Sequence, residues 1–231
     1  MKLRVLALAF ASTAFCAAAF AADNQLAAKE KAAGWQLLFD GQTLNGWRPY
    51  AKKPIGGWEV VDGTLHAIAK VKGSELITEQ KFKDFELAWD WKVPLKGNNG
   101  VKYFVTEART KSPGPEYQMI DDTGHPDALR GGLHQTASFY DVLPPAADKP
   151  VRPAGQWNNS RIVARGQHVE HWLNGKKVLE FELDSPAVKA GIAKSKFKNE
   201  AGFGEHIEGH IMLTYHQDDC WFKNIKIREL K

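Results

Sequence analysis

Two side chains aimed the same way from an extended segment are the first candidates for chemistry. In Glu116-Tyr117-Gln118 a carboxylate and an amide lie two residues apart, and a strand sends alternate side chains to the same face. Such a pair can bond neighbouring hydroxyls, or move protons if its groove shifts the carboxylate; a solvated strand face is the plain alternative. Asp121, Asp122, His125 and Asp127 follow within one polar loop. Their hard oxygens and imidazole could hold a divalent cation, although the spacing matches no defined metal loop and a turn tied by aspartate hydrogen bonds competes. His171 sits in Val169-Glu170-His171-Trp172-Leu173. It is either a groove imidazole that titrates near neutrality or a core histidine bonded to a carbonyl. The chain holds eight Trp, whose rings can stack on sugars or fill a core. Composition alone gives Trp172 no special claim to ligand contact.

Several chemistries are excluded by the motifs the chain lacks. It has no Gly-rich phosphate loop, nucleophile elbow or paired-Cys zinc pattern. It also lacks the Glu-x-Asp-x-x-Glu strand of two-carboxylate jelly-roll glucanases. Glu180, Glu182 and Asp184 come nearest, but in a different order and beyond a turn, which disfavours a conventional retaining glycosidase.

The elements that must position these residues centre on 157–183. Ser160 to Arg165, His168 to Leu173 and Lys176 to Leu183 are β-branched and aromatic runs separated by Arg165-Gly166-Gln167 and by Asn174-Gly175, which predicts a three-strand meander with a type I′ turn. A two-residue loop pairs Leu173 with Lys176, His171 with Val178 and Val169 with Glu180. Trp172, Leu179 and Phe181 then share one face, while Val169, His171 and Leu173 share the other, expected to border a groove. Further strands are expected at Trp35 to Asp40, Trp58 to Val61, Thr64 to Ala69, Glu75 to Thr78, Phe85 to Val93, Val101 to Thr106, Tyr117 to Ile120, Ser138 to Val142, His210 to Tyr215 and Cys220 to Arg228. Ser185-Pro186 opens a short helix that ends before Phe197. Many short strands and one minor helix predict an all-β, two-sheet antiparallel sandwich of the jelly-roll kind.

Lys2 and Arg4 precede an apolar stretch from Val5 to Phe20, which predicts an export signal over 1–21 cleaved after Ala21, and hence a periplasmic or secreted protein. The stretch is short and Ala-rich, against a permanent transmembrane span. Phe15 before Cys16 argues against a lipoprotein. Residues 22–33 form a leader and 34–231 one domain. Beyond residue 21 the chain keeps 29 of its 31 basic residues against 27 acidic ones, near neutral, so nucleic acid is a poor partner. Cys220 then has no partner for an internal disulfide.

The order of motifs is recognisable. Asn99-Gly100-Val101-Lys102-Tyr103-Phe104-Val105, Glu116 to Asp122, His125-Pro126-Asp127-Ala128, Tyr140-Asp141, Trp157-Asn158, Val169 to Gly175 and Phe222 to Ile227 together resemble the 3-keto-disaccharide hydrolase family over about residues 34–231. The resemblance implies a concanavalin-like jelly roll that takes a small carbohydrate oxidised to a ketone at carbon 3. That ketone acidifies the hydrogen on carbon 2, so a modest base suffices and the enolate expels the group on carbon 1. It implies a base or acid among Glu116, His171 and His216, and oxyanion stabilisation by Lys102, Arg161 or a bound cation. Gln118, Asp122, His125, Tyr140, Asp141, Asn158 and Trp172 would contact the sugar. Where the family usually reads Leu-Gln-Asp-His-Gly, this chain has Leu213-Thr214-Tyr215-His216-Gln217. The alternative reading is a non-catalytic, lectin-like module.

Overall fold

The computed structural model describes residues 22–109 and 111–231. The expected export signal, its cleavage after Ala21 and Cys16 lie outside the described residues. A short helix α1 (Ala28–Ala32) precedes strands β1 (Gln36–Leu37), β2 (Trp47–Pro49), β3 (Trp58–Val61), β4 (Thr64–Ala67), β5 (Leu76–Thr78), β6 (Phe85–Lys92), β7 (Asn98–Val105) and β8 (Glu116–Ile120). After a long connection come β9 (Asn158–Arg165), β10 (His168–Leu173), β11 (Lys176–Glu182), helix α2 (Pro186–Lys194), β12 (His210–Leu213) and β13 (Cys220–Glu229).

Turn chemistry sets the hairpins. Asp62 and Gly63 lie at φ 48° and 69°, and Asn174 and Gly175 at 47° and 84°, the paired left-handed residues that a type I′ turn requires. They close β3 on β4 and β10 on β11. Ser185 caps α2 by accepting the Val188 N–H at 3.3 Å, with Pro186 in the first turn. The strands form two antiparallel sheets, one ordered β11-β10-β9-β6-β13-β4-β3 with β1 on β13, the other β2-β5-β12-β7-β8. This is the expected all-β sandwich. Among the described residues, no helix is long and apolar enough to cross a membrane.

The sheets press together a core that includes Phe85, Leu87, Trp89, Trp91, Tyr103, Tyr117, Ile162, Phe139 and Phe222, where each large apolar side chain contributes about 1.5–3 kcal/mol by leaving water. Its polar groups are satisfied in series: the Trp91 indole donates to Ser160 at 2.8 Å, Ser160 to Tyr117 at 2.8 Å, and Tyr117 to the Trp172 carbonyl at 3.0 Å. The leader is docked on the last strand. Asn24 exchanges hydrogen bonds with Asn224, Asp23 meets Lys223 at 2.7 Å, and Glu30 meets Lys226 at 2.5 Å.

Three expectations need correction. Leu173 pairs with Lys176, but a bulge then shifts the register, so His171 faces Leu179 and Val169 faces Phe181. The extra residue turns Phe181 inward, its ring 5.7 Å from His171, rather than beside Trp172. The first strand shrinks to Gln36–Leu37. Ser138 to Val142 is not a strand; Phe139 makes only isolated bridges to Tyr117 and Leu143.

Candidate active site

Pairing of β7 with β8 sets Lys102 opposite Glu116 and Gly100 opposite Gln118. Alternation sends Tyr103 and Tyr117 into the core, where both are fully buried, and Lys102, Glu116 and Gln118 to the outer face of the five-stranded sheet. Register carries one row across all five strands: Arg48, Ile77, Met212, Lys102 and Glu116. At the β2 end, Tyr50, Ile77, Val105 and Met212 form an apolar cluster. Arg48 holds Glu107 there with two bonds of 3.0 and 2.8 Å, and the Tyr50 hydroxyl donates to the Arg109 carbonyl at 2.7 Å. The β8 end carries Lys102 and Glu116.

Lys102 Nζ lies 3.5 Å from Glu116 Oε2, and His216 Nε2 lies 3.8 Å from Glu116 Oε1. The Glu116 side chain is 7% exposed and that of His216 40%. Burial alone would raise the Glu116 carboxyl, but Lys102, His216 and Lys196 outweigh it and hold the group at about 2. Glu116 is therefore an ionised acceptor, not a proton donor, at neutral pH. Gly100 makes its position possible, since a Cβ there would stand 2.2 Å from Glu116 Oε1. Gln118 is 1% exposed and its Oε1 has no hydrogen-bond partner among the described residues.

His216 is presented by anchors on either side of the chain. Thr214 donates its N–H to the Gly100 carbonyl at 3.0 Å and its hydroxyl to Asn99 at 3.2 Å. The Tyr215 hydroxyl reaches the Ile68 and Val71 carbonyls at 2.7 and 2.6 Å. Two of the three residues at which the chain departs from the family pattern, Thr214 and Tyr215, thus fix the backbone that carries His216.

Tyr140 joins from the long connection. Its N–H donates to the Glu116 carbonyl at 3.1 Å and its hydroxyl to Asp127 at 2.7 Å. Burial first, then Asp127, raises the Tyr140 hydroxyl beyond any use as an acid near neutrality. His134, 6% exposed, lies 3.4 Å from Asp127 and 3.6 Å from Asp141. Asp141 accepts the Lys196 N–H at 2.8 Å, and Lys196 Nζ stands 4.3 Å over the Tyr140 ring.

Other sequence-derived candidates lie elsewhere. His171 is fully buried between the sheets, with Nδ1 donating to the Ala137 carbonyl at 3.0 Å and Nε2 accepting from Tyr103 at 3.1 Å. Burial lowers its imidazole to about 4, the bond to Ala137 opposing only in part. It packs on Tyr117, the inward neighbour of Glu116, so the sheet separates the two groups and the groove placement expected for His171 is not what the fold makes. Arg161 and Trp172 are on the outward face of the larger sheet, the guanidinium 3.9 Å over the indole and paired with Glu86 at 2.7 Å. Arg161 therefore does not join the Glu116 cluster. Asp122 and Asn158 line a separate cavity of about 180 Å³ with Trp91, Ile120 and Val151. Asp122 there accepts the Thr136 N–H and pairs with Lys149, while Asn158 braces Arg152. His125 Nδ1 accepts the Asp127 N–H at 3.0 Å, a turn contact.

The loop of Asp121, Asp122, His125 and Asp127 does not converge on a cation position. Asp121 instead binds the N–H groups of Lys96 and Thr123. Among the described residues, the one grouping of ligand atoms within 4.8 Å is His168, Glu170 and Glu180, and Lys177 already sits there, 3.1 Å from Glu170. Sequence reasoning missed Gly100 as the cradle of Glu116, His134 and Lys196. Gly100 carried a signal, a glycine cross-strand from a candidate pair. Lys196 carried none, because its relation to Tyr140 is purely tertiary.

The chain as a whole is similar to known carbohydrate-active proteins. A 3-keto-disaccharide hydrolase of Bacteroides thetaiotaomicron is 34% identical, over 85% of this chain and 79% of the relative. The crystal structure of a candidate glycosyl hydrolase from Parabacteroides distasonis superposes with a TM-score of 0.83 at 33% identity, over 91% of this chain and 100% of that one. A second from the same organism gives 0.63 at 28% identity, over 85% and 99%. The description "3-keto-alpha-glucoside-1,2-lyase-like domain" matches residues 34–228, and the chain belongs to that family.

Proposed function

We propose that the protein cleaves glycosides carrying a ketone at carbon 3, with the Glu116, His216 and Lys102 cluster as its active site. Membership of the family makes the chain a glycoside-cleaving enzyme; the substrate and the roles below are our reading. The observation that carries it is the setting of Glu116, a buried carboxylate with Lys102 at 3.5 Å on one oxygen and His216 at 3.8 Å on the other. A conventional glycosidase needs one carboxyl raised enough to protonate the leaving group, and Glu116 is held at about 2. A fixed carboxylate 3.8 Å from an exposed imidazole suits proton abstraction instead, since the carboxylate stabilises the charge the imidazole gains when it takes a proton.

In this scheme His216 takes the hydrogen from carbon 2. The electron pair moves into the carbon 2–carbon 3 bond and the ketone oxygen becomes an enolate. The enolate then re-forms the ketone as carbon 1 releases its oxygen substituent with the bonding pair, and the His216 imidazolium returns a proton to it. Water adding to the resulting enone at carbon 1 completes a net hydrolysis. Glu116 holds the imidazole and stabilises its charged form, while Lys102 keeps Glu116 ionised. The Gln118 carbonyl, without a partner and facing the same way, accepts a sugar hydroxyl. Export through the expected signal would place this activity outside the cytoplasm.

The test is a 3-keto-glucoside deuterated at carbon 2. The wild-type protein should release the aglycone more slowly from it than from the protium form, and His216→Asn should fall by ~100- to 10,000-fold, the usual worth of a general base. Full activity of His216→Asn would remove the proposed base.

A further inference from the structure

We infer that Lys196 is a catalytic residue of this site, its ammonium bonding the substrate oxygen on which the enolate charge develops. The inference rests on the reading above and adds a group that nothing in the sequence singled out. Two cations act on Glu116, and they are held differently. Lys102 Nζ is committed to Glu116 at 3.5 Å. Lys196 has no carboxylate within ion-pair distance among the described residues; its ammonium rests on the ring faces of Tyr140, at 4.3 Å, and Phe197, at 5.2 Å. An ammonium on an aromatic face is oriented without using up its N–H donors.

The backbone of Lys196 is placed with care that an ordinary surface lysine does not need. Asp141, itself at φ 62°, accepts its N–H at 2.8 Å. On one side Ser195 ends α2 by bonding the Ile192 carbonyl, and on the other Phe197 is buried and stacked on Phe203 with centroids 4.1 Å apart. The platform beneath the ammonium is fixed as well, because the Tyr140 N–H bonds the Glu116 carbonyl and its hydroxyl bonds Asp127. The Lys196 charge also adds to those that lower the Glu116 carboxyl. The site therefore divides its two cations: one keeps the carboxylate that supports His216, and the other stays free for the oxyanion.

The experiment compares wild type with Lys196→Met, Lys196→Arg and Lys102→Met on a 3-keto-glucoside. Lys196→Met should lose ~100- to 1,000-fold, as for removal of one oxyanion donor, with the loss in kcat rather than KM. It should also lose exchange of the carbon 2 hydrogen with solvent deuterium. Its melting temperature should match wild type, and Lys196→Arg should recover a large part of the rate. Lys102→Met should instead move the acid limb of the pH–rate profile upward, because it releases Glu116. Active wild type with Lys196→Met within threefold of it, or a Lys196→Met loss matched by a fall in melting temperature and not rescued by arginine, overturns this inference alone. Wild type inert on the keto-glucoside overturns the reading beneath it as well.

Discussion

Replacing His171 with glutamine removes an acid-sensitive component of folding stability without touching the proposed chemistry. In the fold the imidazole is neutral, enclosed by Tyr103, Tyr117 and Phe181, and titrates at about 4 against an ordinary 6.5. Between those values the unfolded chain binds a proton that the folded chain refuses. Stability from this group is therefore complete above pH 6.5 and is lost as the pH falls towards 4. Two and a half pH units at 1.36 kcal/mol each come to about 3 kcal/mol. Glutamine occupies similar space, can bond Ala137 and does not titrate. The assay is urea unfolding of both proteins at several values between pH 4 and pH 7. Wild type should lose about 3 kcal/mol more than His171→Gln over that range, while aglycone release by the variant at neutral pH stays within a few-fold of wild type. Parallel stability curves would refute the buried neutral histidine. A loss of turnover as large as that of a general base, in a folded variant, would return His171 to the site.

Gly100→Ala should displace the Glu116 carboxylate, because the added Cβ would stand 2.2 Å from Oε1; the side chain can swing, so the expected result is ~100-fold less turnover with a small change in melting temperature. Glu116→Gln should lower turnover by a similar or larger factor through His216, and should remove stability that wild type holds above pH 4.5 and loses as the pH falls towards 2. An unchanged rate with Glu116→Gln would deny the support given to His216. Gly175→Val meets nothing within 4 Å but forces a β-branched residue to φ 84°, so it should cost on the order of 1 kcal/mol or more in chemical denaturation and leave activity per folded molecule intact.

The parts of this fold that were legible in the chain are those set by local chemistry. Asp62-Gly63 and Asn174-Gly175 announce their hairpins, Ser185-Pro186 its helix start, and alternation alone places Glu116 and Gln118 on one face. Local rules do not say which face of a strand is inside. His171 and Trp172 lie on an amphipathic strand with apolar groups both ways, and the sheet partner, not the pattern, buries the histidine and leaves the tryptophan under Arg161. The bulge at Val178 is equally silent in sequence, yet it decides where Phe181 points. Asp122 and Asn158 line a cavity that Glu116 does not share, bonded there to Thr136, Lys149 and Arg152 of the long connection that also brings Tyr140 to Glu116. Lys196 depends on how the segment after α2 folds back, which no spacing rule encodes.

The central claim is that the ketone, and not a carboxylic acid, activates the glycosidic bond. It is tested most directly by giving the purified protein a glucoside and its 3-keto derivative with the same chromophoric leaving group, and recording release at neutral pH with and without a chelator. Release is expected from the oxidised substrate alone, with a transient enone absorbance. Comparable rates on both substrates would contradict it.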